Sequence, residues 1–285
     1  MSLKFTKFSE YNLYEKGLSQ STVDSYILDI NQFFQFLKES DFLFSQQAID
    51  DYFKFLTTTE LTSSSRRRKQ MSIRCLIEFF NQSNFFQNHR EYFFDPIKKE
   101  PPKIKTISNS EAQRLFSYCD DKDNLFDKCI ISLLYYSGLR VSELVALNID
   151  DIDLDIRNIK VNGKGCKKRI VPMSKSSRDI LAGFLQKKVQ IKLDFQPLFV
   201  NNQQNRINRF YVRDRILKMC RQCRIKDFSP HDFRHSCATN LLKNGMELDL
   251  IKILLGHNNI AETQVYLSIN EKELKETYDK FHPRK

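Results

Sequence analysis

At 285 residues the chain is long enough for two domains with real cores, since 41% of its residues are hydrophobic. Lys and Arg total 46 against 35 Asp and Glu, a formal net charge of +11, and the mean hydropathy is −0.49. That balance excludes an acidic disordered chain and a cation-selective protein; no apolar run approaches the ~20 residues of a membrane span, and a polyanion is the partner the charge favours.

The first stretch reads as helical. Ser19 or Ser21 can cap a helix with Val23, Tyr26, Ile27, Ile30, Phe33, Phe34 and Leu37 at three-to-four-residue spacing. A second helix is expected over about 46–57. A third follows Thr62-Ser63-Ser64-Ser65 and carries Met71, Ile73, Leu76, Ile77 and Phe80, and a short fourth is expected over 84–93. With Gly17 as the one glycine here and no alternating pattern, a four-helix bundle is the natural reading of residues 1–95. Residues 96–108, with Pro96, Pro101 and Pro102 among charges, read as a linker, because proline suits neither a helix interior nor a central strand.

Residues 109–285 read as a mostly helical domain with one small antiparallel sheet. Helices are expected near 110–119, 125–136 and 141–147, the second ended by Ser137-Gly138. Strand patterns follow at Ile152–Leu154, Asn158–Val161 and Arg169–Val171, with a Gly163-Lys164-Gly165 turn between the last two. Further helices are expected near 174–189, 206–224, 230–244, 247–255, 260–269 and 271–281. The charge divides with the domains: residues 1–105 carry a net +2, and residues 106–285 a net +9.

Seven cysteines, an odd number at irregular spacing, with Lys4, Phe5 and Lys7 in place of a leader pattern, point to reduced thiols and a cytoplasmic protein. Cys220-Arg-Gln-Cys223 is a single pair where zinc needs about four ligands, so neither metal nor cofactor is expected.

The polar residues that stand out come in a fixed order. Arg140 opens a helix in Gly138-Leu-Arg140-Val-Ser-Glu143, where backbone N–H groups and a guanidinium fork suit a phosphate. By itself such an Arg–Glu pair is more often a surface ion pair. Lys164 sits at a hairpin tip between glycines that allow close approach of a ligand. Ser229-Pro230-His231-Asp-Phe-Arg234 caps a helix that presents His231 and Arg234 on one face. Gly256-His257 closes another helix, and Tyr266 follows nine residues on. Two arginines, a lysine, two histidines and a tyrosine, without a carboxylate cluster, describe metal-free phosphoryl transfer. The arginines would hold nonbridging oxygens, the tyrosine would attack, and the lysine would protonate the leaving oxygen.

In these motifs, and over nearly its whole length, the sequence resembles the tyrosine recombinases, the lambda-integrase family. The resemblance implies that Arg140 and Arg234 clamp the scissile phosphate while Tyr266 attacks it to form a 3′-phosphotyrosyl link. It implies Lys164 as the general acid, with Lys167 and Lys168 as neighbouring competitors, His231 as general acid/base, His257 as a donor to the phosphate, and Glu143 as support for the arginine. It implies neither ATP nor metal. Within the family the chain is similar to the Xer recombinases, through Leu18-Ser19, Thr22, Tyr26, Asp29 and Phe33 in a core-binding, SAM-like first domain. The tail Thr277-Tyr278-Asp279-Lys-Phe-His282-Pro283-Arg284 is similar to the ending of the XerC branch. Leu267-Ser268 stand where the family has Thr-His, and Cys237 where an aromatic is common.

The basic run Arg66, Arg67, Arg68 and Lys69, with Arg74, is expected to face DNA, although such a run can equally be a solvated face. Expected partners are duplex DNA with an inverted-repeat core, a tetrameric synapse with or without a second related recombinase, and a divisome or translocase regulator. Leu274, Tyr278 and Phe281 share one face of the helix over 271–281, which packing within its own subunit would explain; the resemblance implies that this helix is exchanged between protomers. On that reading, residues 271–285 can be removed with the fold intact. Competing readings are a transposon or phage integrase of the same fold and, from another class, a DNA-binding factor that does not cleave.

Overall fold

The computed structural model describes residues 2–41, 43–83, 85–86, 88–98, 105–162, 168–188, 196–256 and 271–282. The chain divides into two compact units, Met1–Pro102 and Lys103–Lys285.

The first unit contains α1 (Ser2–Glu10), a π-helical turn (Tyr11–Glu15), α2 (Gln20–Glu39), α3 (Gln46–Thr58) and α4 (Ser63–Gln82). Ser45 and Thr62 cap α3 and α4, each accepting at 3.2 Å from the backbone N–H three residues on. Val23, Ile30 and Phe33 of α2, Ile49 and Tyr52 of α3, and Ile73 and Leu76 of α4 are buried between the helices. Phenylalanine supplies much of the filling, as where Phe33 meets Phe44 edge-on at 5.6 Å.

Two expectations change here. The fourth helix of the bundle is α1, at the start of the chain, where Phe8 is buried against Phe79. The expected helix over 84–93 is absent among the described residues. Side-chain amides hold that stretch instead. Asn81 bonds both the N–H and the C=O of Arg90, and Gln46 does the same for Phe93. With its backbone groups satisfied in that way, the segment does not need a helix.

In the second unit α6 (Leu125–Tyr135) is the central helix. Its run Cys129-Ile-Ile-Ser-Leu-Leu-Tyr135 is buried throughout, as befits a helix apolar on nearly every side. Around it stand α5 (Asn109–Asp121), α8 (Lys175–Lys188), α9 (Arg209–Gln222) and α10 (Pro230–Lys243). The short α7 (Val141–Ala146) leads through a 3-10 turn (Ile149–Asp151) into β1 (Ile152–Asp153), β2 (Asn158–Asn162) and β3 (Lys168–Pro172). The sheet is antiparallel in the order β1-β2-β3, with Ile159 opposite both Ile152 and Val171. Two further helices are α11 (Leu248–Leu255) and α12 (Glu271–Phe281). The expected helix over 260–269 and the Gly163–Gly165 turn lie outside the described residues.

The last helix corrects another expectation. α12 docks on its own unit: Tyr278 is 0% exposed, and its hydroxyl donates to the Tyr136 carbonyl at 2.8 Å. Asp279 takes both Nη groups of Arg157, and His282 packs edge-on against Tyr136 at 5.2 Å. On that packing, removing residues 271–285 is expected to cost the second unit stability.

Candidate active site

Local sequence decides where each polar side chain of the second unit begins. Gly138 holds φ +61°, a left-handed conformation, so the chain turns sharply out of α6. Arg140 then stands at the cap position of α7, and Glu143 accepts its backbone N–H at 2.8 Å. Ser229 and Asp232 form a reciprocal capping box for α10, with Pro230 in the first turn. That box fixes the phase of α10, so Arg234 points inward at 5% exposure while His231 stays exposed. Gly256, at φ +64°, ends α11.

Tertiary packing brings these elements to one point. The last carbonyls of α11 have no partners within the helix, and its C-terminus is the negative end of the helix dipole. Three successive carbonyls are each taken by a different arginine. Arg169 of β3 donates through Nε to Leu254 at 3.3 Å, Arg234 of α10 donates to Leu255, and Arg140 donates to Gly256. Arg234 also donates to the carbonyl of Gly138, tying α10 to the turn before Arg140.

Glu143, whose side chain is 3% exposed, is the carboxylate among them. It accepts from Arg140 Nη1 at 2.8 Å and from both Nη groups of Arg169 at 2.6 and 3.0 Å. Burial alone would push this carboxyl up. Bonds from the Arg169 side chain, the Arg140 backbone N–H and the Arg140 side chain outweigh it, and the carboxyl sits below its usual range. The guanidinium of Arg234 is brought down to about 10, by burial first and next by repulsion from Arg140. Three guanidinium groups thus share one carboxylate, and the Arg140 side chain remains 35% exposed. The cluster is short of negative charge on a side open to solvent.

His231 lies beside His235, edge to face with ring centroids 4.8 Å apart. Burial, then the neighbouring His235, lowers its pKa below the ordinary 6.5, with Arg234 and Arg140 acting in the same direction and Asp232 against it. The shift favours the neutral imidazole, the form that accepts a proton.

Of the residues singled out in the sequence, the fold brings Arg140, Glu143 and Arg234 together, with His231 one helical turn before Arg234. Lys164, His257 and Tyr266 lie outside the described residues, as do Lys167, Cys166 and Leu267-Ser268. Lys168 opens β3 with an exposed side chain. Cys237 lies directly behind the cluster, its thiol donating to the Tyr136 carbonyl at 3.3 Å. Arg169 was not legible as a member. It lies in a run of basic residues, and only pairing with Glu143 sets it apart.

In the first unit the basic run is not one uniform face. Arg67 and Arg74 are exposed, seven residues apart on one side of α4, and Arg74 stacks on Phe94 at 4.7 Å. Arg68 is drawn to Asp29 at 2.6 Å, and Arg66 is half-buried. Lys69 is 4% exposed, its ammonium held by Asp29 and Gln32. Lys69 was expected to face DNA with the rest of the run; its ammonium is instead buried against Asp29, which is buried too and needs a cation.

Among the described residues no group of three or more His, Cys, Asp or Glu side chains is placed to hold a metal ion, and no helix is long and apolar enough to cross a membrane.

A mostly helical unit with a three-stranded antiparallel sheet, carrying an arginine cluster short of negative charge, defines a protein built to hold an anionic group. Comparison with known proteins specifies the class. Residues 105–273 match the phage integrase family. A tyrosine recombinase XerC of Leptospira interrogans is 32% identical over 97% of this chain and 92% of its own. A tyrosine recombinase XerD of Oceanobacillus iheyensis is 31% identical over 95% of both. Among solved structures, the XerA recombinase is 28% identical with a TM-score of 0.51, covering 99% of each chain. The XerH site-specific recombinase bound to its difH substrate shares the fold at a TM-score of 0.68 and 19% identity, covering 89% of this chain and 78% of that one. The chain belongs to the phage integrase family, as a tyrosine-type site-specific DNA recombinase similar to the Xer proteins.

Proposed function

We propose that this recombinase cleaves and rejoins duplex DNA at an inverted-repeat site through a 3′-phosphotyrosyl bond to Tyr266. The observation that carries the reading is the three-arginine, one-carboxylate cluster, whose net +2 suits one phosphodiester and the further negative charge that develops on it in the transition state. Arg140 and Arg234 take the nonbridging oxygens. Each spends part of its fork on a carbonyl of α11 and keeps further N–H donors for the ligand. Fixed in advance, they meet the charge that grows on the phosphoryl group in the transition state without having to reorganise. Tyr266 attacks phosphorus, the bond to the 5′-oxygen breaks, and Lys164 gives that oxygen its proton. His231, neutral at rest, exchanges the tyrosyl proton, and His257 donates to the phosphate. Attack by a partner 5′-hydroxyl on the same phosphorus reverses the chemistry and joins the new strand, so bond energy is conserved.

Arg67 and Arg74 on α4 serve the first unit as phosphate contacts, so binding should weaken steeply with salt. The first unit thus acts as the core-binding domain and the second as the catalytic one. A tetrameric synapse, with or without a second related recombinase, resolves chromosome or plasmid dimers under a divisome or translocase regulator. A cytoplasmic setting fits the six described cysteines, all of them free.

A duplex nicked beside the cleavage point tests the reading, because loss of the short strand traps the intermediate. The wild-type chain should give a covalent adduct in the presence of chelator, and Tyr266→Phe should give none. An adduct on the Phe variant would remove Tyr266 from the mechanism.

The pH dependence tests His231. With its pKa held down, the acid limb of the single-turnover cleavage profile should lie below pH 6.5. His235→Asn removes one group that depresses it, while Arg140, Arg234 and Asp232 stay in place, so the limb should move to higher pH. An unmoved or lowered limb would take His231 out of the rate-determining proton transfer.

A further inference from the structure

The structure assigns a positioning role to Arg169: it locks the three parts of the active site into one register. The inference rests on the phosphodiester-cleaving reading given above and deepens it.

Three separate segments must agree to within fractions of an ångström for that reading to work. They are the Arg140 turn, strand β3, and the end of α11 at Gly256. Arg169 touches or anchors all three. Both of its Nη groups bond Glu143, the carboxylate that in turn holds the backbone and side chain of Arg140. It belongs to β3, opposite Val161 of β2, one pair from the end of the β2–β3 ladder. Its Nε bonds Leu254, and its side chain lies flat along Gly256.

That last contact is tight. A Cβ at Gly256 would meet Cδ and Nε of Arg169 at 3.1 Å. Glycine at this position therefore answers two demands, the left-handed backbone and room for the guanidinium. The Arg169 side chain is 16% exposed, and its charge is already committed to Glu143. It is placed to hold the groups that meet substrate, and it leaves substrate contact to Arg140.

A bidentate fork is required for this, since a lysine supplies one point charge and cannot bond both carboxylate oxygens and a carbonyl in a plane. Residues that orient reacting groups in this way change rates by roughly 10- to 100-fold when removed. Arg169→Ala should accordingly slow single-turnover cleavage of the nicked duplex by roughly 10- to 100-fold, with DNA affinity within about twofold of wild type. Arg169→Lys, which keeps the charge and the fold, should recover only part of the rate.

A double variant separates positioning from simple stability. If Arg169 acts by placing Arg140, then Arg140→Ala with Arg169→Ala should cleave no more slowly than Arg140→Ala alone. Multiplying losses in the double variant, or full activity in Arg169→Lys, would overturn the inference. A wild-type chain that forms no adduct at Tyr266 would remove the underlying reading and this inference with it. Wild-type adduct with undiminished Arg169→Ala cleavage would overturn the inference alone.

Discussion

Arg234→Ala should lower the single-turnover cleavage rate by about 10²–10³, the usual effect of losing one preorganised transition-state donor. The variant should also be less stable. Arg234 is 5% exposed and supplies partners to the carbonyls of Gly138 and Leu255, both of which would be left wanting donors. Each such buried group is worth about 1–3 kcal/mol when orphaned. Arg140→Ala makes the informative contrast. Its side chain is 35% exposed, and Glu143 keeps Arg169 as a partner when Arg140 is gone. The rate should fall by a similar factor with the denaturation midpoint little changed. Measuring cleavage, DNA affinity and urea denaturation for both variants checks this. If either variant loses binding as steeply as it loses cleavage, that arginine positions DNA and does not stabilise the transition state.

Tyr278→Ala should destabilise the second unit by about 3–5 kcal/mol, in the range for deleting a large buried aromatic. The ring is fully buried, and the hydroxyl bonds the Tyr136 carbonyl immediately before the turn that presents Arg140. Tyr278→Phe keeps the ring and should lose only about 1 kcal/mol, the net worth of an ordinary hydrogen bond. Truncation after residue 270 should be at least as damaging as the alanine variant. A truncated chain with an unchanged denaturation midpoint would show that α12 is not needed by its own unit.

Most helices of both units were legible because their apolar residues recur at helical spacing and their caps are explicit. The cap expected at Ser229 forms, as a reciprocal pair with Asp232, and the structure adds a second such pair, Ser108 with Glu111. The three strands fell within a residue or two of their observed places, since Ile159 and Val161 alternate with polar neighbours and Ile170-Val171 are β-branched. The errors came where local signals were weak. Residues 84–93 are rich in aromatics and amides, and what settles them is a pair of amide bridges from Asn81 and Gln46. α1 was overlooked, although Phe5, Phe8 and Tyr11 recur at three-residue spacing.

For the candidate site, residue order singled out Arg140, Glu143, His231 and Arg234, and the fold brings Arg140, Glu143 and Arg234 together, because each motif carries its own local geometry. A helix-start arginine or an H-x-x-R face is defined within one turn of chain. Charge alone was a poorer guide. It grouped Arg66, Arg67, Arg68, Lys69 and Arg74 as one basic face, and the fold divides them. Asp29 is buried beneath α4 and draws Arg68 and Lys69 to itself, leaving Arg67 and Arg74 outward.

The sequence by itself determined the family, most of the helices and a short list of candidate phosphate-handling groups, because each depends on residues close together in the chain. Only the tertiary structure decided how those groups are held. The carbonyls of Leu254, Leu255 and Gly256 accept arginines from β3, α10 and the start of α7, and Glu143, bonded to Arg140, also pairs with Arg169 across 26 residues. Such pairings link segments far apart in the chain, and no spacing rule encodes them. They arise because a buried helix end and a buried carboxylate each require partners, and packing brings these arginines within reach.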